Sequence, residues 1–198
     1  VAGGTASLRR RNEMKIGLVR HFEVVTGLPE KKWLNPKEFN DWFARYDMAE
    51  VKEKSVDLGG IAWQRCFSSD LPRALKTAQR IYGGDIIATG MLREMTVRAV
   101  MNRDIRLPFS VWKLLVRLAW YSSHRSLLEN KRQFLGNVKR FAHDILPRGD
   151  GNTLVVGHGG FMLFLRKELM RQGFTGPKFT IPENGKLYIF EKASGAVQ

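Results

Sequence analysis

The apolar positions of this 198-residue chain follow two patterns that take turns along the sequence. Short apolar runs such as Ile16-Gly17-Leu18-Val19 do not alternate with polar residues, which is typical of strands covered on both faces. Between these runs, apolar residues recur every three or four positions, the spacing of a helix with one buried face. The predicted strands are residues 16–19, 66–67, 86–88, 154–156 and 187–190, and the predicted helices include residues 39–46, 71–81, 127–145 and 159–173.

Local signals mark the ends of two predicted helices. Ser69 or Asp70 is predicted to cap the helix that begins near Pro72, because both side chains accept hydrogen bonds from free backbone N–H groups and proline fits a first turn. The helix over residues 127–145 is expected to end before Pro147, which has no N–H to donate.

Strands that alternate with helices predict an α/β fold. We expect a three-layer α/β/α sandwich with a largely parallel central sheet, formed by a single catalytic domain over residues 14–198. Residues 1–13 are small, polar and basic, and they are expected to form a flexible extension before it. Ligands of such sheets bind beyond the carboxyl ends of the strands, so residues that follow different strands can meet in one pocket.

Two of the predicted strands lead directly to a histidine. His21 follows Arg20 at the end of the first strand, and His158 follows residues 154–156. Arg73 lies just inside a predicted helix start, where backbone N–H groups favour an anion. Neutral imidazole is a nucleophile near pH 7, and guanidinium groups bind phosphate oxygens while keeping their charge. These four residues predict a phosphoryl-transfer site with a histidine nucleophile and neither metal nor cofactor.

The charge of the chain predicts anionic partners. Its formal net charge is +14 and its pI is about 10.3, which attracts phosphorylated small molecules, nucleic acid or an anionic membrane surface. The sequence contains no recognised nucleic-acid module and no regular alternation of aromatic and basic residues on strands. A small phosphorylated substrate is therefore expected, and nucleic acid is not.

Cysteine usage and hydropathy point to a compartment. The single cysteine, Cys66, lies in a predicted buried strand and is interpreted as an inert core residue. One cysteine cannot form an internal disulfide and fits a reducing compartment. No run reaches the roughly 18 apolar residues of a membrane span, and no signal-peptide region is apparent. A soluble cytoplasmic protein is expected.

The region 103–140 carries an excess of positive charge, with nine lysines and arginines against two acids. Residues 103–125 are expected to form a basic and aromatic helical insertion, in which residues 107–121 have a broad apolar face. The narrow polar stripe contains Arg106, Ser110, Lys113 and Arg117. Three interpretations are open: a packed helix that closes the core, a lid that selects a bulky substrate, or a surface that docks on anionic lipid.

At its motif residues the chain resembles the histidine phosphatase superfamily, branch 1, the phosphoglycerate mutase-like proteins. The strand ending in Arg20-His21 matches the signature of that family. Residues 68–78 match its Ser-Ser-Asp-Leu-x-Arg-Ala-x-x-Thr-Ala block, and residues 158–160 match its His-Gly-Gly. The resemblance spans about residues 15–191, and the three motifs in this order are a strong signal together.

The resemblance implies a role for each motif residue. His21 would be phosphorylated, Arg20, Arg73 and His158 would bind the phosphoryl group, and the Gly159 N–H would add a donor. The general acid of the family matches Glu94 in Leu92-Arg93-Glu94; from the residues alone, a surface ion pair of Glu94 with Arg93 or Arg98 stays open. His124 and His143 match no motif and are interpreted as structural.

The sequence departs from the family pattern at two positions. Phe22 stands where the family has glycine, so an aromatic ring is expected to narrow or cover the pocket entrance. Gly27 stands where the family often has asparagine, and the missing contact is expected from elsewhere, with Thr26 as the candidate phosphate or substrate ligand.

The function predicted is that of a metal-independent phosphatase that hydrolyses a phosphomonoester through a phosphohistidine on His21. The chain is shorter than the family's mutases, which favours a phosphatase. Two alternatives remain open: a regulatory protein that binds phosphate esters with little turnover, and a phosphoglycerate mutase-like phosphotransferase.

Overall fold

The computed structural model describes residues 14–101, 103–122, 124–148 and 151–192, so the expected extension over residues 1–13 lies outside it. The strands are β1 Lys15–Arg20, β2 Glu23–Val24, β3 Trp33–Leu34, β4 Val51–Lys52, β5 Arg65–Ser69, β6 Ile86–Thr89, β7 Leu107–Pro108, β8 Thr153–Gly157, β9 Phe174–Thr175 and β10 Leu187–Lys192. The α-helices are α1 Pro36–Met48, α2 Pro72–Ile81, α3 Phe109–Tyr121, α4 Arg125–Arg140 and α5 Gly159–Arg171.

A six-stranded sheet in the order β6-β5-β8-β1-β10-β9 forms the middle layer. The first four of these strands are parallel, and β10 and β9 continue the sheet in antiparallel pairing. The prediction of a largely parallel sheet is confirmed. Parallel pairing places the carboxyl ends of β5, β8 and β1 side by side at one edge, which is where the predicted chemistry lies.

Side chains of β1 and its neighbours alternate between the two faces of the sheet. Leu18 joins a large core cluster with Phe141 and Phe161 on the side of α4 and α5. Val19 joins a cluster on the other side, with Ala74 and Ala78 of α2. Helices therefore cover both faces, and the predicted three-layer α/β/α architecture is confirmed.

The edge strand β6 departs from the prediction. Its apolar run was expected to be covered on both faces, but Ile87 is 49% exposed. The strand has a partner on one side only, β5, and an edge strand lies where the covering helices end. By contrast, every residue of β8 is buried.

The predicted cap of α2 is wrong. The helix begins after Leu71, whose side chain makes no capping hydrogen bond. Ser69 Oγ instead lies 2.9 Å from His158 Nε2, and the Asp70 carboxylate binds Arg93 through two hydrogen bonds. Both candidate caps therefore have partners that are distant in sequence, and the backbone N–H that Ser69 Oγ does accept, at 3.3 Å, belongs to Leu71 and not to the helix.

The insertion packs one face against the core. The Trp112 ring is fully buried with Leu34 and Phe39, and its Nε1–H donates to the Leu34 carbonyl at 2.8 Å. β7 pairs with β3 beside it. The interpretation as a packed helix therefore holds for this face of α3. Of the helices in the described residues, none has the length and apolarity needed to cross a membrane.

Candidate active site

Three neighbouring strands deliver the candidate residues to one edge of the sheet. Arg20 of β1 lies opposite Gly157 of β8, and Ser68 of β5 lies opposite Val156. The residues that come next, His21, Ser69 and His158, therefore meet although they are distant in sequence. The His21 and His158 rings lie 5.2 Å apart between centroids.

His21 is held as a neutral imidazole with one defined tautomer. Its side chain is 3% exposed, and Nδ1–H donates to the Phe22 carbonyl at 2.6 Å. This hydrogen bond leaves Nε2 as the unprotonated ring nitrogen. Burial, followed by the charge of Arg73, lowers the His21 pKa to about 3. The ring therefore keeps a free electron pair at neutral and mildly acidic pH.

A turn near the end of the chain holds the backbone around His21. Asn184 Nδ2 donates to the His21 carbonyl at 2.7 Å, and Gly185 N donates to the Arg20 carbonyl at 2.8 Å. Arg20 Nη1 in turn donates to the Pro182 carbonyl at 2.9 Å. Gly185 has a φ of +59°, which favours glycine. This turn is not predicted for the site: Asn184-Gly185 is typical of a turn, but nothing local in the sequence indicates what it contacts.

His158 is the second histidine of the site and stands at the N-terminus of α5. It is completely buried, and its Nε2 lies 2.9 Å from Ser69 Oγ. Burial, followed by the charge of Arg73, holds the His158 pKa well below its usual range. Both rings are therefore neutral, which removes the repulsion that two imidazolium ions at this separation would produce.

Arg73 is a buried cation with an acidic partner. It is 3% exposed, and its Nη1 donates to Asp47 Oδ1 at 2.8 Å and to the Asp47 carbonyl at 3.3 Å. Its guanidinium carbon lies 5.3 Å from the Tyr46 ring centroid. Asp47 occupies the last turn of α1, where the helix dipole disfavours an anion, and Arg73 offsets that cost. Asp47 belongs to no motif, so the sequence does not predict it for the site.

Several buried polar atoms of the site have no partner within the described residues. They include Arg20 Nε, Arg73 Nε and His158 Nδ1. A buried hydrogen-bonding atom without a partner is costly, and such groups are rare outside ligand sites. Two guanidinium edges with free donors fit the oxygens of a phosphoryl group. In the part of the chain described, no three His, Cys, Asp or Glu side chains are grouped to hold a metal ion.

Glu94 lies at the start of α5 rather than in a surface ion pair. Its Oε2 accepts from Gly160 N at 2.7 Å and its Oε1 from Met95 N at 3.2 Å. Arg93 binds Asp70, so the alternative of an Arg93–Glu94 pair is not what forms. Loss of solvent around the carboxylate raises the Glu94 pKa, although the two backbone donors and then Arg73 and Arg20 oppose the shift. A carboxyl group with a raised pKa can act as a proton donor.

A cavity of about 480 Å³ adjoins the site. Arg73 and Glu94 line it, together with Tyr46 and Asp47 of α1, whereas His21 does not. No residue of α3 is among the lining residues, so the lid interpretation of the insertion finds no support in the described residues. The Gly159 backbone lies beside the Arg20 guanidinium: a Cβ atom at position 159 would lie 3.5 Å from Arg20 Nε.

Two further predictions are placed differently by the structure. Thr26 lines a separate cavity of about 510 Å³ with Trp42 and Arg45, away from Arg73 and Glu94. Phe22 does not cover an entrance: it is fully buried in a cluster with Val24 and Val51.

His143 is one of the two histidines predicted to be structural. It is half-exposed, and its Nε2 lies 3.4 Å from Glu168 Oε2. Glu168, on α5, also binds Arg171 Nη1 at 2.6 Å, so His143 takes part in a contact between α5 and the segment that follows α4. Cys66 is buried, and burial raises its thiol pKa to about 12, which fits the interpretation as an inert core residue.

Solved structures share the fold of this chain. An Escherichia coli K-12 protein assigned provisionally as an alpha-ribazole-5'-P phosphatase aligns with a TM-score of 0.54 and 16% identity, over 89% of each chain. The phosphoglycerate mutase of Bacillus anthracis gives 0.52 and 18%, over 90% of this chain and 87% of its own. YhfR of Bacillus stearothermophilus gives 0.51 and 17%, over 89% and 90%. At these identities the likeness concerns the fold.

The sequence comparison supplies the family. Among curated proteins, no sequence matches this chain. The family profile described as histidine phosphatase superfamily (branch 1) matches residues 47–198, which include Arg73, Glu94 and His158 but not the β1 segment with His21. In the structure, His21 at the end of β1 lies at the same edge of the sheet as His158 at the end of β8. The chain belongs to branch 1 of the histidine phosphatase superfamily.

Proposed function

We propose that this protein is a phosphatase that hydrolyses a phosphomonoester through a phosphohistidine formed on His21. The observation that carries the proposal is the state of His21: a neutral ring, one nitrogen of which is fixed as a donor to Phe22, next to two arginines. Membership of the superfamily supports an activity of phosphatase or mutase type. Membership alone does not distinguish hydrolysis from transfer, and it does not identify His21 as the residue that is phosphorylated; both are part of the proposal.

In the first step, the electron pair of His21 Nε2 attacks phosphorus and the bond to the leaving oxygen breaks. Glu94 gives its proton to that oxygen, so an alcohol leaves rather than an alkoxide. Arg20 and Arg73 donate to the phosphoryl oxygens and stabilise their charge in the transition state. His158, neutral and buried beside His21, donates to the same group.

In the second step, water attacks the phosphorus of the phosphohistidine and the P–N bond breaks. The Glu94 carboxylate accepts the proton that the water loses, and His21 regains its electron pair. Inorganic phosphate leaves and Glu94 is protonated again, so the cycle closes without net change in the protein. One carboxyl group can serve both steps because the first step leaves it ionised, which is the form that accepts the proton of water in the second.

The low exposure of His21 favours a second candidate, a protein that binds phosphate esters with little turnover. At 3% exposed, the nucleophile does not line the cavity, so access rather than chemistry would limit the rate. A phosphotransferase would use the same intermediate with an alcohol in place of water.

The buried single cysteine fits the reducing environment of the cytoplasm, where we place the protein.

The test is hydrolysis of p-nitrophenyl phosphate with a metal chelator present, combined with an alkaline quench during turnover. We expect chelator-resistant release of inorganic phosphate, and phosphate bound to the peptide that contains His21, stable in alkali and lost in acid. Binding of phosphate ester without any release of phosphate would support the low-turnover candidate instead. Label on another residue would contradict the assignment of the nucleophile.

Replacing Asp47 with asparagine is expected to tighten inhibition by inorganic phosphate about two- to fivefold, the effect of removing one nearby negative charge in a wet cleft. Asparagine keeps an oxygen that can accept from Arg73 Nη1. Asp47→Ala removes both the charge and the acceptor, so Arg73 loses its orientation and we expect kcat to fall. The measurement is the inhibition constant of phosphate for each variant.

The matched control is Asp41→Asn, because Asp41 lines the same cavity but pairs with Lys37 at 3.1 Å. Equal effects at both positions would mean that Asp47 acts only through the general field of the cavity, not through Arg73.

A further inference from the structure

One face of α3 exposes apolar and basic side chains together. Leu114 and Leu118 are each 54% exposed and Tyr121 is 75% exposed, while Lys113 and Arg117 are also exposed. These five residues, the α3 basic face, recur at the spacing of a helix and form one stripe. Exposed leucines that are scattered singly need no explanation, but leucines interleaved with cations on one stripe form a patch.

The α3 basic face cannot be hidden by a rotation of the helix. The opposite face holds Trp112, Val116, Ala119 and Trp120, all buried in the core. Trp112 is also tied to β3 through the Leu34 carbonyl. The exposed stripe is therefore a fixed property of the fold.

The charge of this surface has one sign. No acidic residue occurs between Asp104 and Glu129 in the sequence. Lys113 and Arg117 form no ion pair with the described residues. Arg125, exposed at the start of α4, extends the positive region beyond Tyr121. An anionic partner is the complement of this surface.

We propose that the α3 basic face binds the surface of a membrane that contains anionic lipids. Leucine and tyrosine side chains enter the boundary between headgroups and acyl chains, while lysine and arginine reach the phosphate groups with their long stems. The helix lies in the plane of the surface and does not cross it. The inference is independent of the proposed function, since none of these residues lines the cavity of Arg73 and Glu94.

The composition of the stripe favours a membrane over the other anionic partners. A nucleic-acid backbone would use the cations and leave the leucines in water, because phosphate contacts gain nothing from aliphatic side chains. A second copy of this chain would oppose its own cations to an identical face in a symmetric dimer. Lipid headgroups and acyl chains together satisfy both kinds of side chain.

The test is flotation of the full protein with vesicles of phosphatidylcholine alone and with added phosphatidylglycerol. We expect binding only to the anionic vesicles, weakened as salt rises. Lys113→Gln with Arg117→Gln should weaken it by about fivefold for each charge. Leu114→Ser with Leu118→Ser should weaken it about tenfold or more, because the buried aliphatic area is lost.

The matched control is Lys139→Gln with Arg140→Gln, which removes two exposed charges from α4 and should leave binding nearly unchanged. Near-ultraviolet circular dichroism checks that each variant is folded. Equal loss in the control would reduce the effect to net charge and overturn the proposal. So would binding of single-stranded RNA that depends on the cations but not on the leucines, or a dimer in solution that Leu114→Ser with Leu118→Ser dissociates.

Discussion

Replacing His21 with alanine is expected to lower kcat for phosphate-ester hydrolysis by at least about 10⁴-fold, the scale seen when a covalent nucleophile is removed. The variant lacks the atom that takes the phosphoryl group, and the site contains no other nucleophile with the same surroundings: His158 lies beside it, but its Nε2 is engaged by Ser69. The alkali-stable phosphate label should disappear together with turnover. The measurement is steady-state hydrolysis with chelator present.

The His21 experiment needs two controls, one for folding and one for the specificity of the effect. Removing a ring that is 3% exposed leaves a cavity, so thermal unfolding is measured in parallel, and His21→Gln keeps most of the volume if alanine does not fold. His143→Ala is the matched control, because this histidine is half-exposed and pairs with Glu168; its kcat should stay near that of the wild type. Turnover by a folded His21→Ala protein would remove His21 from the mechanism.

The residues that could be predicted from the sequence are those that follow strand ends. Arg20, His21 and His158 come directly after apolar runs, and parallel pairing is enough to bring such positions together. Arg73 and Glu94 were identified through motifs, and the structure places both at the wall of one cavity. Local pattern and sheet topology agree at these positions, so little tertiary information was needed.

The residues that were missed act through contacts distant in sequence. Asp47 and Asn184 belong to no motif, and each contacts a residue predicted for the site: Asp47 binds Arg73, and Asn184 binds the His21 carbonyl. The Ser69 side chain also has a partner distant in sequence, His158, and the backbone N–H that it accepts belongs to Leu71, one residue before the helix begins. Hydrogen-bond partners across the fold override local capping preference when the local alternative leaves a buried group unpaired.

Phe22 shows how a correct observation led to a wrong placement. The departure from glycine is real, and an aromatic ring next to the nucleophile was expected near the pocket. In the structure it packs with Val24 and Val51, and its backbone N–H donates to Thr77 Oγ1 at 2.9 Å. The Phe22 ring therefore belongs to the core and not to the entrance of the pocket.

Glu94 carries the prediction that separates acid–base chemistry from simple binding. Glu94→Gln is expected to lower kcat/KM for an alkyl phosphate by about 10²- to 10⁴-fold, the usual contribution of a general acid. The loss should be much smaller for p-nitrophenyl phosphate, whose leaving oxygen needs no proton. Glutamine keeps an oxygen that can accept from Gly160 N or Met95 N, so the start of α5 stays in place.

The pH dependence fixes the sign of the effect. Glu94 must be protonated to donate, and burial raises its pKa, so the active form extends to higher pH than for an ordinary carboxyl group. The wild-type kcat/KM therefore falls as pH rises through the raised Glu94 pKa, and the glutamine variant, with no proton to lose, lacks that fall. Protonation of His21 does not lower kcat/KM at pH values above its pKa, which is about 3. Ionisation of the substrate affects both proteins alike, so the ratio of the two pH profiles of kcat/KM isolates the ionisation of Glu94.

The control for Glu94 is Glu129→Gln, an exposed carboxylate on α4, which should leave both the rate and the profile unchanged. Two results are diagnostic. A Glu94→Gln protein whose kcat/KM falls equally for alkyl and aryl esters would place Glu94 in binding rather than in protonation of the leaving group, because the second step follows release of the alcohol and does not enter kcat/KM. A variant with wild-type rates on both esters would require another proton donor, and Asp47, the other carboxylate close to Arg73, would be the residue to replace next.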